Sequence, residues 1–176
     1  MAVSPPLNLH AWIDAHQHLL QPPVGNQYLY DGDELFVMVV GGPSARNDFR
    51  ITPSEVFFHQ ITGDMTVRIR DEDRMTDYRV GAGETFFIPA GVPHSPRRPS
   101  GTVGLVVQRR RSPGETEQVV FYCDKCGGLV WNQAFDQAGL VEQFKAEMEA
   151  FWADDERRTC RNCGAKVEKP LSLPTD

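Results

Sequence analysis

All four cysteines fall in the last third of the chain, as Cys123, Cys126, Cys160 and Cys163, two Cys-x-x-Cys pairs separated by residues 127–159. A thiolate is a soft metal ligand, and two residues between cysteines let both sulfurs of a pair reach one ion. Disulfides are rare in reducing compartments, so two pairs of this spacing predict one tetrahedral site for zinc or iron. Gly127 and Gly164 each follow the second cysteine of a pair, where the chain has to turn back sharply. Four protein thiolates leave no open coordination position, so the expected metal is structural.

The elements that must carry this site change character along the chain. Leu9, Trp12, Ile13, His16, Leu19 and Leu20 recur at helical spacing and predict a short amphipathic helix stopped by Pro22 and Pro23. Short runs rich in Val, Ile, Phe and Thr follow at 35–40, 55–61, 65–69, 84–89, 103–107 and 119–122. With Gly63-Asp64 as a hairpin turn, they predict an all-β sandwich or barrel. Residues 136–152 return to helical spacing through Leu140, Phe144, Met148, Phe151 and Trp152, filling the loop between the cysteine pairs. The expected organisation is a barrel with its N-terminal helix over 1–118, a metal-binding appendage over 119–169 and a flexible tail over 170–176.

Composition narrows the partners. The 176 residues are 40% hydrophobic and 24% charged, within the globular range. A formal net charge of -6 disfavours nucleic acid. No apolar run reaches the roughly 18 residues of a membrane span, and no basic and apolar leader opens the chain. A cytoplasmic protein acting on small molecules, with no membrane partner, is expected.

Gly83-Glu-Thr-Phe-Phe-Ile-Pro89-Ala-Gly91-Val-Pro-His94 matches the second cupin motif as far as its histidine. The fold class this implies is all-β dominated, a double-stranded β-helix or jelly-roll barrel with a short N-terminal helix, a small C-terminal helix and the four-cysteine knuckle. Counting back from Gly63 places the ligand positions of the first motif at Arg50, Thr52 and Val56, none of which is a ligand.

The resemblance narrows further. Trp12-Ile-Asp-Ala-His-Gln-His-Leu-Leu-Gln-Pro-Pro-Val-Gly-Asn26, Val39-Val-Gly-Gly-Pro43 with Arg46 and Asp48, Phe57-Phe58, Pro93-His94-Ser-Pro96-Arg-Arg98-Pro99 and the cysteine pairs together resemble bacterial 3-hydroxyanthranilate 3,4-dioxygenases over nearly the whole chain. That resemblance implies a cupin with a rubredoxin-like four-cysteine iron site. It also implies a barrel Fe(II), held by two histidines and a glutamate, that opens an aromatic ring with oxygen. Asn26, Arg46, Asp48, His94, Pro96 and Arg98 stand at retained positions. By the resemblance His94 is the last iron ligand, Arg98 the partner of the substrate carboxylate, and Arg46 lies beside oxygen and substrate. The first ligand histidine is Arg50 here, the ligand glutamate Val56, and the glutamate that also contacts substrate Gln108. One surviving ligand does not predict a catalytic Fe(II) in the barrel.

If residues 46–50 run extended, Arg46, Asp48 and Arg50 face the interior with His94 and Arg98. Such a cationic cavity suits a planar carboxylate held by bidentate hydrogen bonds. His59 falls on the opposite face of its strand from Val56, Phe58 and Gln60. The expectation drawn from these residues is a divergent enzyme that binds a small anthranilate-like aromatic acid through Asn26, Arg46, Arg50, Pro96, Arg98 and Gln108. His94 and Asp48 would then move protons in a metal-independent reaction. The alternatives are a genuine Fe(II)-dependent ring-cleaving oxygenase with a reorganised ligand set, and a binding protein without turnover. A homodimer through the outer sheet is expected.

Overall fold

The computed structural model describes residues 3–22, 25–135 and 140–170, and for 140–143 the backbone alone. The expected tail beyond residue 170 and the start of the expected helix at 136–139 lie outside the described residues.

The chain opens with helix α1 (Leu9–His16), capped by the Asn8 side chain, which accepts from the Ala11 amide at 3.0 Å, and a 3-10 turn (Gln17–Leu19). Eleven strands follow among the described residues: β1 (Asn26–Asp31), β2 (Leu35–Gly41), β3 (Phe49–Ile51), β4 (Val56–Thr62), β5 (Met65–Asp71), β6 (Arg74–Val80), β7 (Thr85–Ile88), β8 (His94–Arg97), β9 (Val103–Arg109), β10 (Glu117–Tyr122) and β11 (Leu129–Phe135). Helices α2 (Leu140–Ala153) and α3 (Asp155–Arg158) complete the chain.

The strands form two antiparallel sheets, one of five strands in the order β1-β2-β9-β4-β7 and one of six in the order β11-β10-β3-β8-β5-β6. Strand alternation turns Val56, Phe58 and Val106 of the first sheet inward against Met65, Val67, Ile69 and Val80 of the second, closing one core between the layers. This is the jelly-roll barrel of a cupin. On the other side of the first sheet, Ile13 and Leu20 cover Val39, so α1 packs outside the barrel.

A second core lies under the C-terminal helices. Phe121 and Phe151 stack at 4.2 Å between ring centroids, with Trp131 and Trp152 tilted or edge-on against them. Each stacked aromatic pair adds about 0.5–1.5 kcal/mol beyond the area it buries. Because β10 pairs with β3 and with β11, this cluster is anchored on the barrel's own sheet.

The strand expected over residues 46–50 is shorter than the alternation argument needs. Only Phe49–Ile51 joins the ladder, Arg50 pairing with His94 on one side and Val119 on the other. Residues 46–48 form no strand, so alternation does not place Arg46 and Asp48, which are held to each other by an ion pair.

Candidate functional site

The cysteines meet as expected. All four Sγ atoms lie within 4.8 Å of one another, with Cys123 to Cys163 and Cys126 to Cys160 each at 3.6 Å. Tetrahedral Zn–S bonds of about 2.3 Å place neighbouring sulfurs roughly 3.8 Å apart, so the cage has the dimensions of a tetrathiolate metal site. All four cysteines are free of disulfides. The two knuckles repeat one geometry: the Gly127 amide donates to the Cys123 carbonyl and the Gly164 amide to the Cys160 carbonyl, both at 2.8 Å, with φ of +70° and +71° at the glycines. A side chain at either position would strain the turn.

The second group of polar residues gathers between the sheets. Arg46 donates from Nε to Asp48 Oδ1 at 3.1 Å and pairs through its Nη2 with Oδ2, so Asp48 spends both oxygens on one guanidinium. Arg50 Nε stands 3.9 Å from the same carboxylate. Burial pushes the Asp48 carboxyl up, but Arg46 and Arg50 outweigh burial and hold it below the usual carboxylate range. Arg50 also pairs through Nη1 with Glu117 of β10, and Arg111 pairs with the other oxygen of Glu117. Burial, then the charge of Arg46, lowers Arg50 to about 10. From the sequence, the basic run Arg109-Arg110-Arg111 reads as a solvated strand end, but Arg111 is drawn in to Glu117; Glu117 itself was passed over, although an acidic residue opening an apolar strand run, Glu117-Gln-Val-Val-Phe, was the available signal.

His94 is buried, and its Nδ1 donates to the Val92 carbonyl at 2.9 Å, which leaves Nε2 as the acceptor nitrogen. Burial lowers its pKa to about 4, with Arg46 and Arg50 adding to the shift, so the ring is neutral at physiological pH. Phe58 lies edge-on to His94 at 6.5 Å and 5.8 Å from the Arg98 guanidinium. Arg98 is 4% exposed, and its Nε and Nη2 are buried with no hydrogen-bond partner. Burial, then Arg46, lowers Arg98 to about 10. A buried guanidinium with two free donors on one edge is shaped for a planar carboxylate.

Other candidates sit at the margins. Val56 and Gln108 are direct cross-strand partners on β4 and β9. Pro96 stands opposite Val67 in β8, beside His94 and Arg98. Asn26 is exposed at the start of β1, opposite Val40, and makes no hydrogen bond or ion pair with the cluster among the described residues. His59 pairs in register with Thr85 and Leu105 and lies on the outer face of β4, as the alternation predicts.

An iron in this barrel does not fit these side chains. Val56 offers no donor atom, Arg50 is a cation, and Asp48 is committed to Arg46. Among the described residues, the only group of three or more His, Cys, Asp or Glu close enough to share an ion is the four cysteines.

Comparison with known proteins adds the chemistry. The family model of 3-hydroxyanthranilic acid dioxygenase matches residues 1–152. The chain is 42% identical over 158 residues to 3-hydroxyanthranilate 3,4-dioxygenase of Jannaschia sp. (strain CCS1), covering 89% of this chain and 88% of the relative. It is 40% identical over 160 residues to the protein of the same name from Xanthomonas euvesicatoria pv. vesicatoria, covering 91% and 90%. A cupin-2 domain protein from Shewanella frigidimarina superposes with a TM-score of 0.47 at 16% identity, over 56% of this chain and 92% of that one.

These relatives correct the functional expectation. A metal-independent proton-transfer enzyme was the leading reading of the residues. Relatives about 40% identical across nine-tenths of the chain, named for ring-cleaving oxygenation, favour the oxygenase alternative instead.

Proposed function

Because the chain belongs to the 3-hydroxyanthranilic acid dioxygenase family, we propose that it serves the reaction its relatives are named for, taking 3-hydroxyanthranilate or a close small aromatic acid by the carboxylate and presenting the ring for oxidative opening. The observation that carries the substrate half of this reading is Arg98, buried with Nε and Nη2 unpartnered. A carboxylate bound there forms two charge-assisted hydrogen bonds and removes the cost of an unpaired buried cation. Phe58 supplies an apolar wall beside it. His94, neutral and edge-on to Phe58, offers Nε2 as a hydrogen-bond acceptor in the same wall. Asp48 fixes Arg46 in place.

The iron of this family's reaction activates oxygen when bound. Arg50 and Val56, at the positions the resemblance gives to its ligands, offer it no donor atom. The ion-paired state of Arg50 therefore favours a second reading, capture of the aromatic acid without turnover. Aerobic incubation with 3-hydroxyanthranilate and Fe(II), followed by oxygen uptake and loss of the substrate, separates the two. Equal consumption of oxygen and substrate supports ring opening. Saturable binding without oxygen uptake overturns ring opening in favour of capture.

The four-cysteine site takes one structural Fe or Zn and ties the ends of the 119–169 appendage together. A homodimer is part of the same proposal. The row Tyr30, Val37, Val107, Phe57 and Phe87 runs in register across the outer face of the five-stranded sheet, with Phe57 37% and Phe87 58% exposed. Light scattering of the intact protein tests it. No described helix is long and apolar enough to cross a membrane, in keeping with the proposed cytoplasmic location.

A further inference from the structure

The charges between the two sheets do not balance. Four guanidinium groups, Arg46, Arg50, Arg98 and Arg111, meet two carboxylates, Asp48 and Glu117. Asp48 neutralises Arg46. Glu117 is divided between Arg50 and Arg111, leaving one positive charge in excess there, and Arg98 carries the other alone. The excess thus sits at two separate poles, and each pole has a buried donor with no partner: Nε and Nη2 on Arg98, Nε on Arg50, Nε on Arg111. Asp48, 3.9 Å from Arg50 Nε but hydrogen-bonded to Arg46, and Glu115, beside Arg111 but paired with Arg109, offset this charge only in part. Each pole also lies against an aromatic ring, Arg98 5.8 Å from Phe58 and Arg50 4.6 Å over Phe144. Unpaired buried cations are expensive, whereas a ligand charge placed against each pole forms hydrogen bonds to donors already in position.

We propose that the barrel binds its aromatic acid as a dianion, with one carboxylate on Arg98 and a second ionised group of the ring on the Arg50 pole that Glu117 holds. This rests on the aromatic-acid reading above and narrows it. The second group is either another carboxylate or an ionised ring hydroxyl, chemistries that share the charge but differ in what binding releases. Arg50 is then a specificity-determining residue, and Glu117 its positioning residue.

Calorimetric titration of the full-length protein at neutral pH tests this with benzoate and anthranilate as monoanions, phthalate and isophthalate as dianions, and 3-hydroxyanthranilate in two buffers of different ionisation enthalpy. The expected result is a dicarboxylate binding at least about tenfold more tightly than benzoate, or release of about one proton per bound 3-hydroxyanthranilate with none for anthranilate. The first outcome identifies a second carboxylate, the second an ionised hydroxyl. Arg50→Gln should remove that preference or proton release, and Arg50→Lys, which keeps the charge and guards against a folding defect, should retain it. Monoanions binding as well as dianions, with no proton released, would overturn the dianion inference and leave the aromatic-acid reading standing. If no ring acid binds at all, the aromatic-acid reading falls first.

Discussion

Arg50 of β3 is ion-paired with Glu117 of β10, although its partner in the strand ladder is Val119. The side chain thus leans along the neighbouring strand to reach a carboxylate that is almost fully buried. Breaking a buried pair from one side costs more than the pair itself contributes, because the surviving charge stays desolvated. Glu117→Gln should leave Arg111 without its buried partner and Arg50 with only the more distant Asp48, and lower unfolding stability by about 3 kcal/mol, read from the urea midpoint at unchanged slope. A midpoint within error of the parent would show that the pair is solvated and that Arg50 is not held.

Acid should weaken the fold through His94. Its folded pKa of about 4 lies below the ordinary histidine value of 6.5, so between these two values the unfolded chain binds the proton that the folded chain refuses. Stability is therefore fully present above pH 6.5 and declines as pH falls toward 4, by an upper bound of about 3 kcal/mol from this group. Chemical denaturation across that window should show the slope, and His94→Gln should flatten it. A parent profile that is level from pH 7 to 4.5 would contradict the buried neutral imidazole.

Much of the fold was legible because apolar alternation marks strands with one face in the core. β4 reads Val56, Phe58, Gln60 inward and Phe57 outward, as its sequence indicates. The strands that sequence reasoning missed are those where packing does not impose alternation. β1, β6 and β11 lie at sheet edges or beside them and are half exposed, while β8 is His-Ser-Pro-Arg, its residues chosen for the site. The cysteine cage followed from spacing, whereas the alternation argued for Arg46, Asp48 and Arg50 does not hold, because only Phe49–Ile51 is a strand. Glu117 was invisible because its role depends on β10 lying beside β3, a pairing between strands distant in sequence. The proton-transfer reading rested on Arg50 and Val56 and is overturned by relatives about 40% identical over nine-tenths of the chain.

Metal removal should act on the appendage. Cys123 ends the run of β10 and Cys160 follows α3, so the ion closes a loop that holds β11, α2 and α3. Cys123→Ser with Cys160→Ser should lose the bound metal and lower the thermal midpoint by several degrees, on the order of 2 kcal/mol, as loss of a structural clip does. Elemental analysis alongside thermal melts checks both. Retention of one metal per chain in the double variant would place the ion elsewhere.

The most direct test of the account is the affinity of 3-hydroxyanthranilate for the parent protein and for Arg98→Ala, measured by calorimetry with circular dichroism as the control for folding. Arg98 is buried with free donors, so the parent should bind one ligand per chain, and the variant should bind at least about tenfold more weakly, a loss of about 1.4 kcal/mol, with an unchanged spectrum. Equal affinity in the two proteins, or no saturable heat with the parent, would contradict carboxylate capture at Arg98 and with it the proposed use of the barrel.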